Sequence, residues 1–132
     1  MGEVGQRFRR YSWILFLVSG FMIFYSGLFF LGLLPMPEIH RFWDGGSTAL
    51  VAAGLLDLIG GAVVLLLVSS MLAHGYFRST GDNMKFLTHL RALAIFCILG
   101  ITGDLIGGLY AIGAQIGLYS CVIDWMITIR TQ

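Results

Sequence analysis

Charged residues are scarce in this chain of 132 residues: they make up 11% of the sequence, whereas hydrophobic residues make up 58%. Soluble domains carry charge on about a quarter of their residues. So few charges cannot cover the surface of a water-soluble fold, and the composition therefore predicts that a lipid bilayer surrounds most of the chain. The formal net charge is only +1, so nucleic acid is not an expected partner.

Cysteine and catalytic motifs are sparse as well. Cys97 and Cys121 both lie in apolar runs without a CxxC or Cys/His cluster, so they are expected to be reduced packing residues. His74, His89 and His40 all fall in or beside predicted loops, where they are poorly placed to bind haem inside a bundle. The sequence contains no nucleophile–base pair, phosphate-binding loop or metalloprotease motif, so we expect no catalysis by this chain alone and no metal.

Long apolar runs dominate what is present. A membrane span needs about 20 mainly apolar residues, and residues 13–34 and 48–73 each supply one. Residues 13–34 are too long for the apolar core of a signal peptide, which has roughly 7–15 residues, so we expect a retained helix. The stretch from 86 to 129 is long enough for two spans, which we place at 86–107 and 109–129. Residues 1–132 are thus expected to form one membrane domain.

Charge placement favours four helices over three helices with an apolar tail. With four helices, Arg41 alone falls on one side, and the other side holds Arg7, Arg9, Arg10, Arg78, Lys85, Arg91 and Arg130. The positive-inside rule then predicts an all-α integral membrane four-helix bundle with both termini cytoplasmic, in a bacterial inner membrane or an organellar membrane. Trp13, Trp43 and Trp125 are the expected interfacial anchors. The sequence does not decide whether the hairpin between the third and fourth helices turns at Gly103 or at Gly113.

The pentapeptide DLIGG occurs twice in apolar surroundings, at 57–61 and at 104–108. Helical spacing puts Asp57 on one stripe with Gly54, Gly61 and Val64, flanked by Ala53 and Gly60. A carboxylate near the middle of a bilayer costs roughly 2.5–3.5 kcal/mol, so Asp57 is expected to face the bundle interior. Small-residue spacings that favour close helix packing are provided by Gly20, Gly27, Gly54, Gly61, Gly103 and Gly107.

Two interpretations of the repeated acids remain open. In the first, the glycines pack helices and the acids are polar packing residues; this interpretation is favoured. In the second, Asp57, Asp104 and Gln115 form a proton or cation site, with Tyr110, Ser120 and hydroxyls of the first helix as further candidates. Asp104 is expected close to the outer surface, where water reaches it. Asp124 is expected to reach the membrane interface or to pair with Arg130 or Arg91.

The segments LFLVSGFMIFYSGLFFLGLLP and GLLDLIGGAVVLLL resemble the first two helices of DoxX-like small four-helix membrane proteins. That group often has a lysine after the first-helix glycine, where Leu28 and Phe29 stand here. Members of that group have been linked to quinone-coupled sulfur oxidation and to membrane redox complexes. For this chain the resemblance implies the four-helix architecture and favours an accessory role.

The expected function is a small non-catalytic subunit that packs in a larger membrane complex, for which an energy-converting complex is a candidate. The alternatives are an oligomeric transporter or channel that uses a mid-membrane aspartate, and a quinone-associated redox component. The expected partners are the lipid bilayer and other integral membrane subunits or further copies of this chain. No cofactor is expected other than a bound quinone or lipid.

Overall fold

The computed structural model describes residues 2–33, 46–78 and 83–130, and these residues form four α-helices. The helices are α1 (Gly2–Phe30), α2 (Gly46–Ala73), α3 (Asn83–Ile106) and α4 (Ile112–Arg130). Each helix is long and apolar enough to cross a membrane, which takes about 20 apolar residues. The prediction of an all-helical protein with four such helices is therefore confirmed.

The helices are arranged as a four-membered ring. Helices α1 and α3 each contact both α2 and α4, and α1 touches α3 lightly across the centre. Among the described residues, α2 and α4 do not contact each other. One end of the bundle carries the α3–α4 hairpin and is called the hairpin end below. The opposite end holds the start of α1 and the end of α4 and is called the basic end, since Arg7, Arg10, Arg78, Lys85 and Arg130 cluster there.

Polarity is inverted relative to a water-soluble bundle. Phe21, Leu66 and Ile95 are each more than 60% exposed on the outside, whereas Asp57 and Asp124 are 0% exposed inside. A protein in water buries its apolar side chains and almost never buries an unpaired acid. The observed distribution is the one expected when hydrocarbon surrounds the helices and polar side chains turn toward the interior.

Three of the helices end with the same local structure. At the end of α3, the N–H of Gly108 donates to the carbonyl of Leu105 and the N–H of Leu109 donates to the carbonyl of Asp104, at 3.1 and 2.8 Å. This is a Schellman motif, which requires a left-handed residue, and Gly108 has φ = 93°. Gly32 and Gly75 end α1 and α2 in the same way.

Two helix boundaries that were predicted from hydrophobicity alone differ from those in the structure. Helix α1 starts at Gly2 rather than at residue 13, because helical hydrogen bonding continues through a polar segment that contains no proline. The hairpin occupies residues 107–111, so it turns at neither Gly103 nor Gly113. The predicted outer loop, including Trp43 and His40, lies outside the described residues.

Glycines allow α1 and α2 to approach closely. A Cβ atom at Gly27 would lie 2.7 Å from the backbone nitrogen of Leu58, and one at Gly61 would lie 2.6 Å from that of Phe24. Gly54 packs against Leu31, and Gly20 packs against Val64 and Leu65. Because the contact is partly backbone on backbone, neither helix can accommodate a side chain here by changing a rotamer.

We predict that Gly27→Ala destabilises the protein by about 1–3 kcal/mol, as overpacking of a close contact does. The higher helix propensity of alanine, worth about 1 kcal/mol, opposes this loss but does not cancel it. Thermal unfolding in a mild detergent measures the difference. The matched control is Ala52→Leu on α2, which adds more volume at an exposed position and should leave the midpoint unchanged. An unchanged midpoint for Gly27→Ala would contradict the close packing.

Candidate functional site

The fold brings the acids of the two DLIGG copies together. Asp57 lies in the middle of α2, and Asp104 lies in the last turn of α3, where these neighbouring helices meet near the hairpin end. Their carboxyl groups lie close enough to interact directly, and Gly103, the residue before Asp104, packs against Oδ1 of Asp57. Asp57 is 0% exposed and Asp104 is 4% exposed. Asp104 is therefore buried, and the expectation that water bathes it near the outer surface is wrong.

This acid pair has no cationic partner among the described residues. Neither oxygen of Asp57, nor Oδ1 of Asp104, accepts a hydrogen bond from an amide or hydroxyl there. Among the described residues, the charged group that acts on Asp57 is Asp104. Two ionised carboxylates cannot hydrogen-bond to each other, since neither has a proton to donate. One proton shared between them supplies the missing donor and removes the repulsion, and it belongs to the pair rather than to either residue.

Small residues make room for the acid pair. A Cβ atom at Gly103 would collide with Oδ1 of Asp57 and approach the carbonyl oxygen of Ala53 to 3.1 Å. On the opposite side of α2, Gly27 packs against the backbone of Asp57. All six residues of the predicted α2 stripe are buried. The predicted packing glycines Gly20, Gly27, Gly54, Gly61, Gly103 and Gly107 all lie at contacts with another helix or with its side chains.

The other residues suggested for this site are used elsewhere. The Nε2 atom of Gln115 donates to the carbonyl of Tyr110 at 2.8 Å, so Gln115 braces the hairpin. The hydroxyl of Ser120 donates to the carbonyl of Ile116 within its own helix. Ser26 lies near the pair: together with Asp104, it lines a cavity beside the hairpin. The structure thus brings together Asp57 and Asp104 but not Gln115.

A second buried polar cluster lies at the basic end. Asp124 is 0% exposed, and the Ser12 side chain and the guanidinium of Arg9 lie close enough to stabilise its charge electrostatically. The Ser12 hydroxyl itself donates to the carbonyl of Arg9 at 3.0 Å. The prediction that Asp124 pairs with Arg130 or Arg91 is wrong. Arg91 instead lies over the ring of Trp125, 5.1 Å from its centroid. Asp124 faces inward because Ala114, Gly117 and Cys121 place that side of α4 in the core.

Arg9 joins the helices at the basic end, and sequence reasoning missed this role. Its Nη1 donates to Oδ1 of Asn83 at 3.0 Å, and its Nη2 donates to the carbonyl of Tyr76 at 2.9 Å. The guanidinium also lies 4.0 Å from the ring centroid of Phe86. Such contacts suit the planar, multiply donating arginine side chain. The available signal was the spacing from Arg9 to Ser12, which puts both residues on one helix face.

A row of serines on α1 runs between the two clusters. Ser12, Ser19 and Ser26 recur every seven residues, and all three are buried. Between the clusters, Ser19 and Cys97 both lie against Gly117, and Cys97 and Cys121 belong to the same core cluster. Both cysteines are free thiols in the core. The interior of the bundle thus holds polar side chains at three depths. Of these, the acid pair has the fewest neighbouring groups that could offset its charge.

The histidines and tryptophans lie outside this interior. His74 and His89 flank the ring of Tyr76 at the basic end, with centroid distances of 5.3 and 5.0 Å. Trp13 and Trp125 are half-buried and pack against the apolar core at the same end of the bundle. In the part of the chain that the structure describes, no three His, Cys, Asp or Glu side chains cluster in a way that could hold a metal ion.

No protein-family model matches the chain, and neither the curated proteins nor the solved structures include a significant match. The DoxX-like resemblance of the first two helices therefore stays a prediction. The class that the fold itself supports is a bundle of four helices, each able to cross a membrane.

We predict that Asp57→Asn folds almost as stably as the wild type, because the amide N–H₂ replaces the shared proton as a donor to Asp104. Asp57→Ala removes that donor and leaves a buried acid unpaired, which costs about 1–3 kcal/mol. Thermal unfolding of both variants in detergent at neutral pH measures the difference. Equal losses of stability for the two variants would mean that no hydrogen bond joins the acids.

Proposed function

We propose that this protein is a multi-pass membrane protein that loads and releases a small monovalent cation, first of all a proton, at the Asp57–Asp104 pair. The observation that carries this proposal is the proximity of two buried carboxyl groups, with no cation or neutral donor facing Asp57 among the described residues. Burying one acid in a bilayer costs roughly 2.5–3.5 kcal/mol on insertion scales. A site that served packing alone would meet the same hydrogen-bonding need with an amide, without an acid that can ionise.

The net charge of the acid pair determines whether the site takes up a further proton or cation. With one shared proton, the pair keeps a single negative charge in an environment of low dielectric constant. A second proton, or a small monovalent cation, neutralises that charge. Loading and release are therefore coupled to the electrostatic energy of the buried pair, as in the proton relays of membrane transporters.

The proposed topology places the basic end in the cytoplasm. Described basic side chains cluster at that end, and the positive-inside rule assigns such an end to the cytoplasm. Both termini would then be cytoplasmic, and the acid pair would lie toward the opposite face. The membrane would be a bacterial inner membrane or an organellar one.

Flux through reconstituted vesicles tests this function. We predict that the wild type carries protons down an imposed membrane potential, as reported by a pH-sensitive dye trapped inside. Asp57→Asn and Asp104→Asn should each lower the rate about tenfold or more, a change of about 1.4 kcal/mol in the barrier.

The matched control is Thr102→Val, an exposed position on α3 in the turn that holds Asp104. It should leave the flux unchanged. Because the asparagine variants are expected to fold, a rate equal to that of the wild type would contradict the proposal directly. The outcome would leave the acid pair as a packing device.

A second candidate function, an accessory subunit of a larger membrane complex, is favoured by the outer face of α1. Its exposed large hydrophobic side chains form one continuous apolar face along the helix: Tyr11, Ile14, Leu15, Val18, Phe21, Met22 and Tyr25. Such a face offers a second membrane helix a surface to pack on. The partner would be another integral membrane subunit or a second copy of this chain.

Native mass spectrometry after gentle extraction from the membrane distinguishes these partners. The accessory role predicts fixed stoichiometry with larger subunits, whereas the transport role predicts this chain alone or as a homo-oligomer. Phe21→Ala should weaken either assembly, and Leu66→Ala, on the exposed face of α2, serves as its control. Recovery of the monomer alone would argue against the accessory role.

A further inference from the structure

A cavity opens beside the acid pair at the hairpin end. Its volume is about 130 Å³, and it lies between α1, the last turn of α3, the hairpin and the start of α4. Water occupies about 30 Å³ per molecule in the liquid, so the cavity has room for a small cation with a few waters. The lining residues are Met22, Ser26, Asp104, Leu109, Tyr110, Ala111, Ile112 and Gly113.

Asp104 links this cavity to Asp57. The residue lines the cavity and its carboxyl group interacts with that of Asp57, although Asp104 is only 4% exposed. Its Oδ1 is buried and accepts no hydrogen bond among the described residues. Ser26 lines the same cavity, and its hydroxyl donates to the carbonyl of Met22 at 3.0 Å, which leaves the lone pairs of the hydroxyl oxygen as acceptors.

The route from the acid pair toward the basic end is closed by packed side chains. Ile23 is 0% exposed and packs against Gly100, where a Cβ atom would meet it at 2.9 Å. Phe16 is likewise 0% exposed, further toward the basic end. The acid pair therefore adjoins a cavity on the side of the hairpin end and closely packed apolar side chains on the side of the basic end.

We propose that the cavity beside Asp104 is the port through which a hydrated monovalent cation reaches the acid pair from the hairpin end. This inference rests on the proposed function. It adds the route by which the cation enters and the size and charge of the cation that the site accepts. The port selects positive charge because, among the described residues that line it, the ionisable groups are the carboxyl group of Asp104 and the phenol of Tyr110. Release toward the basic end then requires Ile23 to move.

Cysteine labelling in lipid nanodiscs, where both ends are accessible, tests the port. The background carries Cys97→Ala and Cys121→Ala, and Ser26→Cys or Met22→Cys places a single thiol in the cavity. Two methanethiosulfonate probes of similar size are compared, one with an ethylammonium group and one with an ethylsulfonate group. Leu105→Cys is the control, because it lies next to Asp104 in sequence, is exposed and does not line the cavity.

We expect the cationic probe to modify the cavity thiols about tenfold faster than the anionic probe, corrected for the ratio at Leu105→Cys. A tenfold ratio of rates corresponds to a difference of about 1.4 kcal/mol in free energy between the two probes at the cavity. Adding Asp104→Asn should abolish the preference. Equal rates for the two probes at both cavity positions, or a preference that survives Asp104→Asn, would overturn the port.

The labelling experiment tests the port and the flux experiment tests the transport function, so either hypothesis can be wrong while the other holds. If Asp57→Asn abolishes flux but the cavity thiols show no charge preference, the pair is loaded by another route and the port is wrong. If the preference is present but the wild type carries no flux, the cavity still attracts cations and the proposed transport function is wrong.

Discussion

The close approach of helix backbones at glycine is the constraint on which the rest of this structure depends. Lipid offers little hydrophobic drive for helices to associate, so packing and polar contacts must hold the bundle together. Gly27 and Gly61 set the distance between α1 and α2, and Gly103 leaves the space that the Asp57 carboxyl group fills. A side chain at Gly27 or Gly61 would push α1 away from α2, and one at Gly103 would displace the Asp57 carboxyl group.

The two copies of DLIGG use their glycines differently. In the first copy the helix continues, with Gly60 packed against α3 and Gly61 against α1. In the second copy the glycines end the helix, with Gly108 in a left-handed conformation. This difference places Asp104 in a terminal turn at the depth of Asp57. The packing and functional interpretations of the repeat are thus compatible, since the glycines pack the helices and the acids meet between them.

The α2 stripe was predictable from sequence because a single helix with a clear 3.6-residue period contains all of its members. The burial of Asp104 was not, because it depends on where an apolar stretch without polar breaks turns back. The arginine partner of Asp124 was missed because hydrophobicity starts the first helix at residue 13, beyond Arg9. Contacts between distant segments, such as Arg9 with Asn83, leave no periodic signal in either segment.

The central claim is that Asp57 and Asp104 share a proton inside the bundle. The infrared spectrum of the protein in lipid at neutral pH, compared with that of a variant carrying both Asp57→Asn and Asp104→Asn, tests it most directly. The account predicts a C=O stretching band of a protonated carboxylic acid that is present in the wild type and absent from the double variant. A wild-type spectrum in which the double substitution removes only ionised carboxylate bands would contradict it.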